Sequence, residues 1–203
     1  MAAQDRLVWI DCEMTGLDLA KDQLVEIAVI VTEADLTELD SGINIIIRPD
    51  DLSILEGMDP VVVDMHTASG LLDVIPEGVS LAEAEEQVLA YVRQHVPEAR
   101  KAPLAGSSVY VDRGFLSRDM PELDAHLHYR LIDVSSIKEI ARRWYPRAYF
   151  NSPEKKGNHR ALGDIRESIA ELRYYRDAVF VPPPGPDTES ARAVAAGHVV
   201  DHG

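Results

Sequence analysis

The last strongly patterned helix of this 203-residue chain opens on His159-Arg160-Ala161-Leu162-Gly163-Asp164, an H-x-A-x-x-D string. It answers an acidic pair far upstream, Asp11-Cys12-Glu13, and between the two Asp112 closes the run Val109-Tyr110-Val111-Asp112. Four carboxylates and one histidine at these places would hold hard metal ions and a general base, the equipment for cutting a phosphodiester bond. A fold that gathers them must bring the end of a first strand, a mid-chain segment and the start of the last helix to one point.

The rest of the patterning supplies such a scaffold. Leu7-Val8-Trp9-Ile10 reads as a buried strand carrying Asp11 at its end, Leu24 to Val31 as a second and Ile43 to Ile47 as a third. Turn residues between them predict an antiparallel meander. Ser80-Leu81-Ala82-Glu83 is a capping box opening a helix with the apolar stripe Leu81, Ala84, Val88, Val92 and Val96, which Pro97 stops. Leu104-Ala105-Gly106 suggests a short buried strand, followed by a helix expected to begin near Asp112. Leu131-Ile132-Asp133-Val134 is the fifth strand candidate, and Ser136-Ile137-Lys138-Glu139 has the form of a second capping box. The last helix spans about residues 161–177 with Leu162, Ile165, Ile169 and Leu172 inward. Strands first, then alternating helices and strands, predict an α/β fold: a mixed sheet with helices packed on it.

With 46% apolar residues the chain can bury a full core as one domain, expected over residues 6–180. From Pro182-Pro183-Pro184-Gly185-Pro186 onward the pattern collapses, so residues 181–203 are expected to form a disordered proline-rich tail. No apolar run is long enough for a membrane span, and the N-terminus lacks the form of a secretion signal. Cys12 is the only cysteine, which suits a reducing, cytoplasmic setting. A net charge of −15 argues against tracking along long duplex nucleic acid, where phosphate contacts demand a basic face. It is compatible with a very short substrate held in a closed pocket.

Singly, each candidate residue has an ordinary explanation. Asp11 and Glu13 point to one face of a strand by their period-2 spacing, and two such acids also occur at plain strand–turn junctions. Asp112 could be a helix N-cap. Asp164, in the first turn of a helix, is welcomed by the dipole without any metal. His159 could be surface. The joint pattern, in this order on this scaffold, is what points to a metal-dependent nuclease.

These motifs resemble the DEDDh group of 3′-to-5′ exonucleases, which have a ribonuclease H-like fold with a five-stranded mixed sheet flanked by helices. Within that group the chain is most similar to the oligoribonuclease family. The resemblance is carried by the run Trp9 to Asp18, by His66-Thr67-Ala68-Ser69-Gly70-Leu71, Met120-Pro121-Glu122-Leu123, His128-Tyr129-Arg130, Ala141-Arg142-Arg143-Trp144 and Asp164-Ile165-Arg166-Glu167-Ser168. It covers about residues 6–178. Ser107 and Tyr110-Val111 depart from the family's usual Asn and Gly-Gln.

The resemblance implies two divalent cations, Mg²⁺ or Mn²⁺, with Asp11 shared between them. Glu13 and Asp164 would complete one site, Asp112 would support the other, and His159 would act as general base. It implies very short RNA oligonucleotides as substrate, dinucleotides above all. Ser108, Arg130 and Ser135 would cap a 5′ phosphate, Leu17 would wedge between bases and His66 would contact the 3′ end. Tyr129 is expected from a partner subunit, hence a homodimer. Two rivals stand beside this reading. One is a proofreading exonuclease on single-stranded DNA ends, which rates on dinucleotides against long single strands would separate. The other is a catalytically silent nucleotide-binding protein, which would bind dinucleotides without Mg²⁺-dependent release of mononucleotides.

Overall fold

The computed structural model describes residues 5–154 and 160–199. In chain order the elements are β1 (Leu7–Met14), β2 (Leu24–Thr32), β3 (Ile43–Ile46), α1 (Pro60–Ala68), α2 (Leu71–Val74) and α3 (Leu81–His95). There follow β4 (Pro103–Gly106), α4 (Tyr110–Asp119), α5 (Pro121–His126), β5 (His128–Asp133), α6 (Val134–Trp144), α7 (Pro146–Phe150), α8 (Ala161–Val179) and α9 (Thr188–Ala196). The strands form one five-stranded sheet in the order β3-β2-β1-β4-β5. β1, β2 and β3 are the antiparallel meander, while β4 pairs parallel with both β1 and β5. This is the ribonuclease H-like mixed sheet that the motifs implied.

Alternation along β1 divides the molecule. Val8, Ile10, Cys12 and Met14 face a core shared with Ala84, Val88 and Val92 of α3 and Phe115 and Leu116 of α4. Trp9 faces the other way, into a core with Ala28, Ile30 and the α8 residues Ala161, Ile165, Ile169 and Leu172. Asp11 and Glu13 share the parity of Trp9 and so look toward the α8 side. Helices cover both faces of β2, which is why all nine of its residues are buried, Glu26 and Thr32 included. Thr32 is satisfied there by the Trp9 indole, which donates Nε1–H to its Oγ1 at 3.0 Å. Ile165 and Ile169 are almost wholly enclosed, and burial of that kind contributes roughly 1.5–3 kcal/mol for each side chain. Those two residues hold the start of α8 against the sheet.

Several boundaries differ from the sequence expectation. β1 does not end at Asp11. Its ladder with β2 runs on from Leu7↔Thr32 to Met14↔Leu24, with an irregularity only between Glu13 and Met14. Both acids therefore sit within a paired strand. The capping box at Ser80 forms, with Ser80 Oγ accepting from the Glu83 amide and the Glu83 carboxylate accepting from Ser80. The one expected at Ser136 does not, because β5 runs to Asp133 and that side chain caps α6 by accepting from the Ser135 amide at 2.9 Å. Ser136 then lies inside the helix, and Glu139 instead receives Arg142 and Arg143. α4 begins at Tyr110, so Asp112 stands in its first turn rather than at its cap. In the tail expected to lack order, Thr188–Ala196 forms a helix capped by Asp187, none of whose residues is buried. Among the described residues no helix is long and apolar enough to cross a membrane.

Candidate active site

β1 and the first turn of α8 meet where the sequence requires. Asp11, Glu13 and Asp164 each offer a carboxylate oxygen, and these atoms lie within 4.8 Å of one another. The period of β1 supplies the first two; Asp164 is supplied by α8, whose N-terminal dipole favours an anion there. Asp112 joins from α4 and is buried. Its Oδ1 accepts the backbone N–H of Cys12 at 2.9 Å, so it approaches β1 between the other two acids.

Packing carboxylates this way has an electrostatic consequence. Burial, reinforced by the negative charges of Asp112, Glu13, Asp164 and Glu26, holds Asp11 well above the ordinary carboxylate range. Burial first, then Glu26, Asp164 and Asp112, push Glu13 up to about 8, with Arg160 opposing. Burial likewise raises Asp112 to about 7 despite the stabilising hydrogen bond from Cys12. A set of acids that resist ionisation together, all with oxygen donors, suits a hard divalent cation, which would replace their protons.

The remaining expected residues fall into separate groups. Ser108 and Ser135 come together: Ser108 Oγ donates to Ser135 Oγ at 3.1 Å, and the amides of both residues donate to Asp133 Oδ1 at 3.0 and 2.9 Å. Ser108 adopts the left-handed conformation (φ 54°) that turns the chain out of β4 into α4. Tyr129 and Arg130 stand exposed on β5, with the guanidinium 5.5 Å from the tyrosine ring centre. Leu17 is 73% exposed on the loop after β1. His66 is placed differently. It is fully enclosed, with Nε2 2.8 Å from the Met14 carbonyl and Nδ1 3.9 Å from Glu13, so its ring buttresses the end of β1. His159 lies outside the described residues.

Two contributors were not anticipated. Glu26 is directly across the ladder from Glu13 and has no solvent exposure. It accepts from Arg160 Nε and Nη2 at 3.1 and 3.0 Å, from Asn44 Nδ2 at 2.8 Å and from the Ala161 amide at 3.4 Å. It thereby anchors the start of α8, the turn that carries Asp164. The signal in the sequence was a lone charge inside the apolar run Leu24–Val31. Asp133, hub of the two serines, carried no distinguishing signal beyond a place at a strand end.

Comparison with known proteins agrees with this arrangement. A family profile described as "Exonuclease" (RNase_T) matches residues 8–172. A curated protein of Streptomyces avermitilis named oligoribonuclease is 67% identical over 196 residues, covering 97% of this chain and 98% of its own length. Another of that name, from Leifsonia xyli subsp. xyli, is 62% identical over 194 residues and covers 96% and 93%. Among solved structures, the zinc-bound form of the E. coli ExoI–ssDNA complex superposes with a TM-score of 0.66 over 87% of this chain at 16% identity. The chain spans only 41% of that longer protein, and the likeness is one of fold.

Proposed function

We propose that this chain, which belongs to the oligoribonuclease family of exonucleases and is a hydrolytic 3′-to-5′ exoribonuclease, completes RNA degradation by cleaving the shortest fragments, 5′-phosphorylated dinucleotides above all, to nucleoside 5′-monophosphates. The observation that carries the reading is the convergence of Asp11, Glu13 and Asp164 within 4.8 Å, with Asp112 beside them. These four would hold two Mg²⁺ or Mn²⁺ ions, which when bound supply acidity to the attacking water and charge relief to the departing 3′ oxygen. His159 takes the proton of that water, a task suited to a group that titrates near neutral pH.

For substrate length, Ser108, Ser135 and Arg130 close the site around a 5′ phosphate, with Arg130 offering a planar fork of donors. The hydrogen-bonded pairing of Ser108 with Ser135 supports this. Leu17 separates the two bases. His66, behind Glu13, backs the wall against which the 3′ nucleotide rests. The partner subunit's Tyr129 completes the cap in a homodimer. Exposed Ile140, Trp144 (70% exposed) and Phe180 line an apolar depression on α6 and the end of α8, a patch that supports a covering copy. Residues 6–180 are the catalytic unit and the tail stands outside it. The single cysteine fits work in the cytoplasm.

The alternative, a nuclease for long single-stranded DNA, draws on the fold shared with ExoI; the net charge of −15 speaks against it. The deciding experiment is a length series of 5′-phosphorylated RNAs with and without Mg²⁺, read as mononucleotide release. The dinucleotide should be cleaved fastest and only with metal. Faster cleavage of a roughly ten-nucleotide RNA removes the cap while sparing the nuclease; binding of the dinucleotide with no metal-dependent release removes the enzyme.

A further inference from the structure

Leu17 is a large apolar side chain held out in water, on a loop between β1 and β2 that is tied in place by its own hydrogen bonds. Within the loop, Asp22 accepts from Thr15 Oγ at 3.1 Å and from the Asp18 amide at 2.9 Å, while the Asp22 and Lys21 amides donate back to the Asp18 carbonyl. Thr15 and Gln23 close its neck by donating to the Gln23 carbonyl and Thr15 Oγ. Gly16 is obligatory there, since a Cβ would come 2.4 Å from Asp22 Oδ2.

From outside, one side chain of α4 grips the same loop. Arg118 donates through Nη1 to the Leu19 carbonyl and through Nη2 to the Asp22 carbonyl at 2.8 Å. Its guanidinium is aimed by Asp119, which accepts from Nε and Nη2 at 2.6 Å, and by the Phe115 ring 5.0 Å away. On the same helix, Gly114 leaves room for the loop, since a Cβ would stand 3.1 Å from Leu19 Cδ1. Earlier on α4, Asp112 takes the Cys12 amide of β1. One helix is thus pinned to β1 among the carboxylates and again to the loop that β1 runs into.

We infer that Arg118 is a positioning residue for substrate choice: by clamping the Leu19 and Asp22 carbonyls to α4 it fixes the height of Leu17 above the carboxylates, so that a substrate with a second base is oriented for cleavage. This rests on the short-substrate reading above. Only a fork of donors reaches both carbonyls while paired with Asp119; an ammonium does not.

The test compares two substrates: a 5′-phosphorylated dinucleotide, and the same molecule with its 5′ base replaced by hydrogen. Arg118→Lys and Arg118→Ala should each lower kcat/KM on the dinucleotide about 10- to 100-fold, as Leu17→Ala does. On the abasic substrate they should change it by no more than about twofold, and Leu17→Ala/Arg118→Ala should be no worse than Leu17→Ala alone. Mn²⁺ affinity should be unchanged in all. Equal losses on both substrates, or losses that multiply in the double variant, overturn the role of Arg118 while leaving the nuclease reading intact. Wild-type enzyme that prefers the longer RNA refutes the short-substrate reading, and this role with it.

Discussion

Removal of divalent metal should make the stability of this protein fall as pH rises, and Mg²⁺ should offset much of that fall. Asp11, Glu13 and Asp112 all sit above the ordinary carboxylate range in the folded chain. A raised carboxyl binds its proton more tightly when folded than unfolded. The stability that goes with it is whole below the unfolded pKa and is lost as pH climbs through the folded one. For Glu13 the window runs from 4.5 to about 8, and its side chain is buried, so solvent does not screen the effect away. At 1.36 kcal/mol for each tenfold change in proton affinity, that displacement is worth up to about 5 kcal/mol. At about 2–4 °C per kcal/mol for a chain of this size, Tm in EDTA should drop by roughly 10 °C or more between pH about 5 and about 8.5. Mg²⁺ at about a hundred times its Kd returns some 2.7 kcal/mol, and more of it at high pH, where no proton need be displaced. Differential scanning calorimetry across that range, with and without Mg²⁺, reads the effect, and Glu13→Gln should flatten the EDTA slope. An EDTA curve level with pH, or a Mg²⁺ shift equal at every pH, would refute the electrostatic account of the cluster.

Asp11→Asn should abolish Mg²⁺-dependent hydrolysis and weaken Mn²⁺ binding in calorimetric titration, since it lies among all the other acids. His159→Ala should cut kcat by about 10²- to 10⁴-fold with Mn²⁺ affinity kept; near wild-type turnover would remove it as the base. Glu26→Ala should lower both Tm and kcat, because it leaves Arg160 and the Ala161 amide without their acceptor; loss of a buried partner of this kind costs about 3–5 kcal/mol. Ser80→Ala, far from the chemistry, should cost about 1 kcal/mol of stability and leave turnover alone.

The legible parts of this chain were those where one residue type answers one physical demand. The period-2 spacing of Asp11 and Glu13 in β1, the apolar run of β2, the Ser80–Glu83 box and the inward stripe of α8 all read through because local geometry and burial agree there. Asp11, Glu13 and Asp164 converge within 4.8 Å, with Asp112 on the Cys12 amide, as their positions on the strand and helices imply. The Ser136 box failed because a longer-range fact, β5 running on to Asp133, delivered a better-placed cap three residues earlier. β1 was read short for the opposite reason. Its acidic end looks like a strand terminus until β2 is known to pair with it as far as Leu24. Glu26 stayed hidden because its partners, Asn44 and Arg160, are distant in sequence. The clamp of Arg118 on the Leu17 loop was equally invisible, since it uses backbone carbonyls, which no residue identity announces.

Asp112 is held at Cys12 by two parts of the same residue: its Oδ1 accepts the backbone N–H at 2.9 Å, and the buried thiol hydrogen-bonds the same carboxylate from within the core that α4 shares. Residue 12 thus steers an acid and fills the interior at once. Drift to alanine or valine would keep the main-chain bond and give up the thiol's, so a change that looks like mere repacking reaches the chemistry, and proline, which has no N–H to give, would remove both.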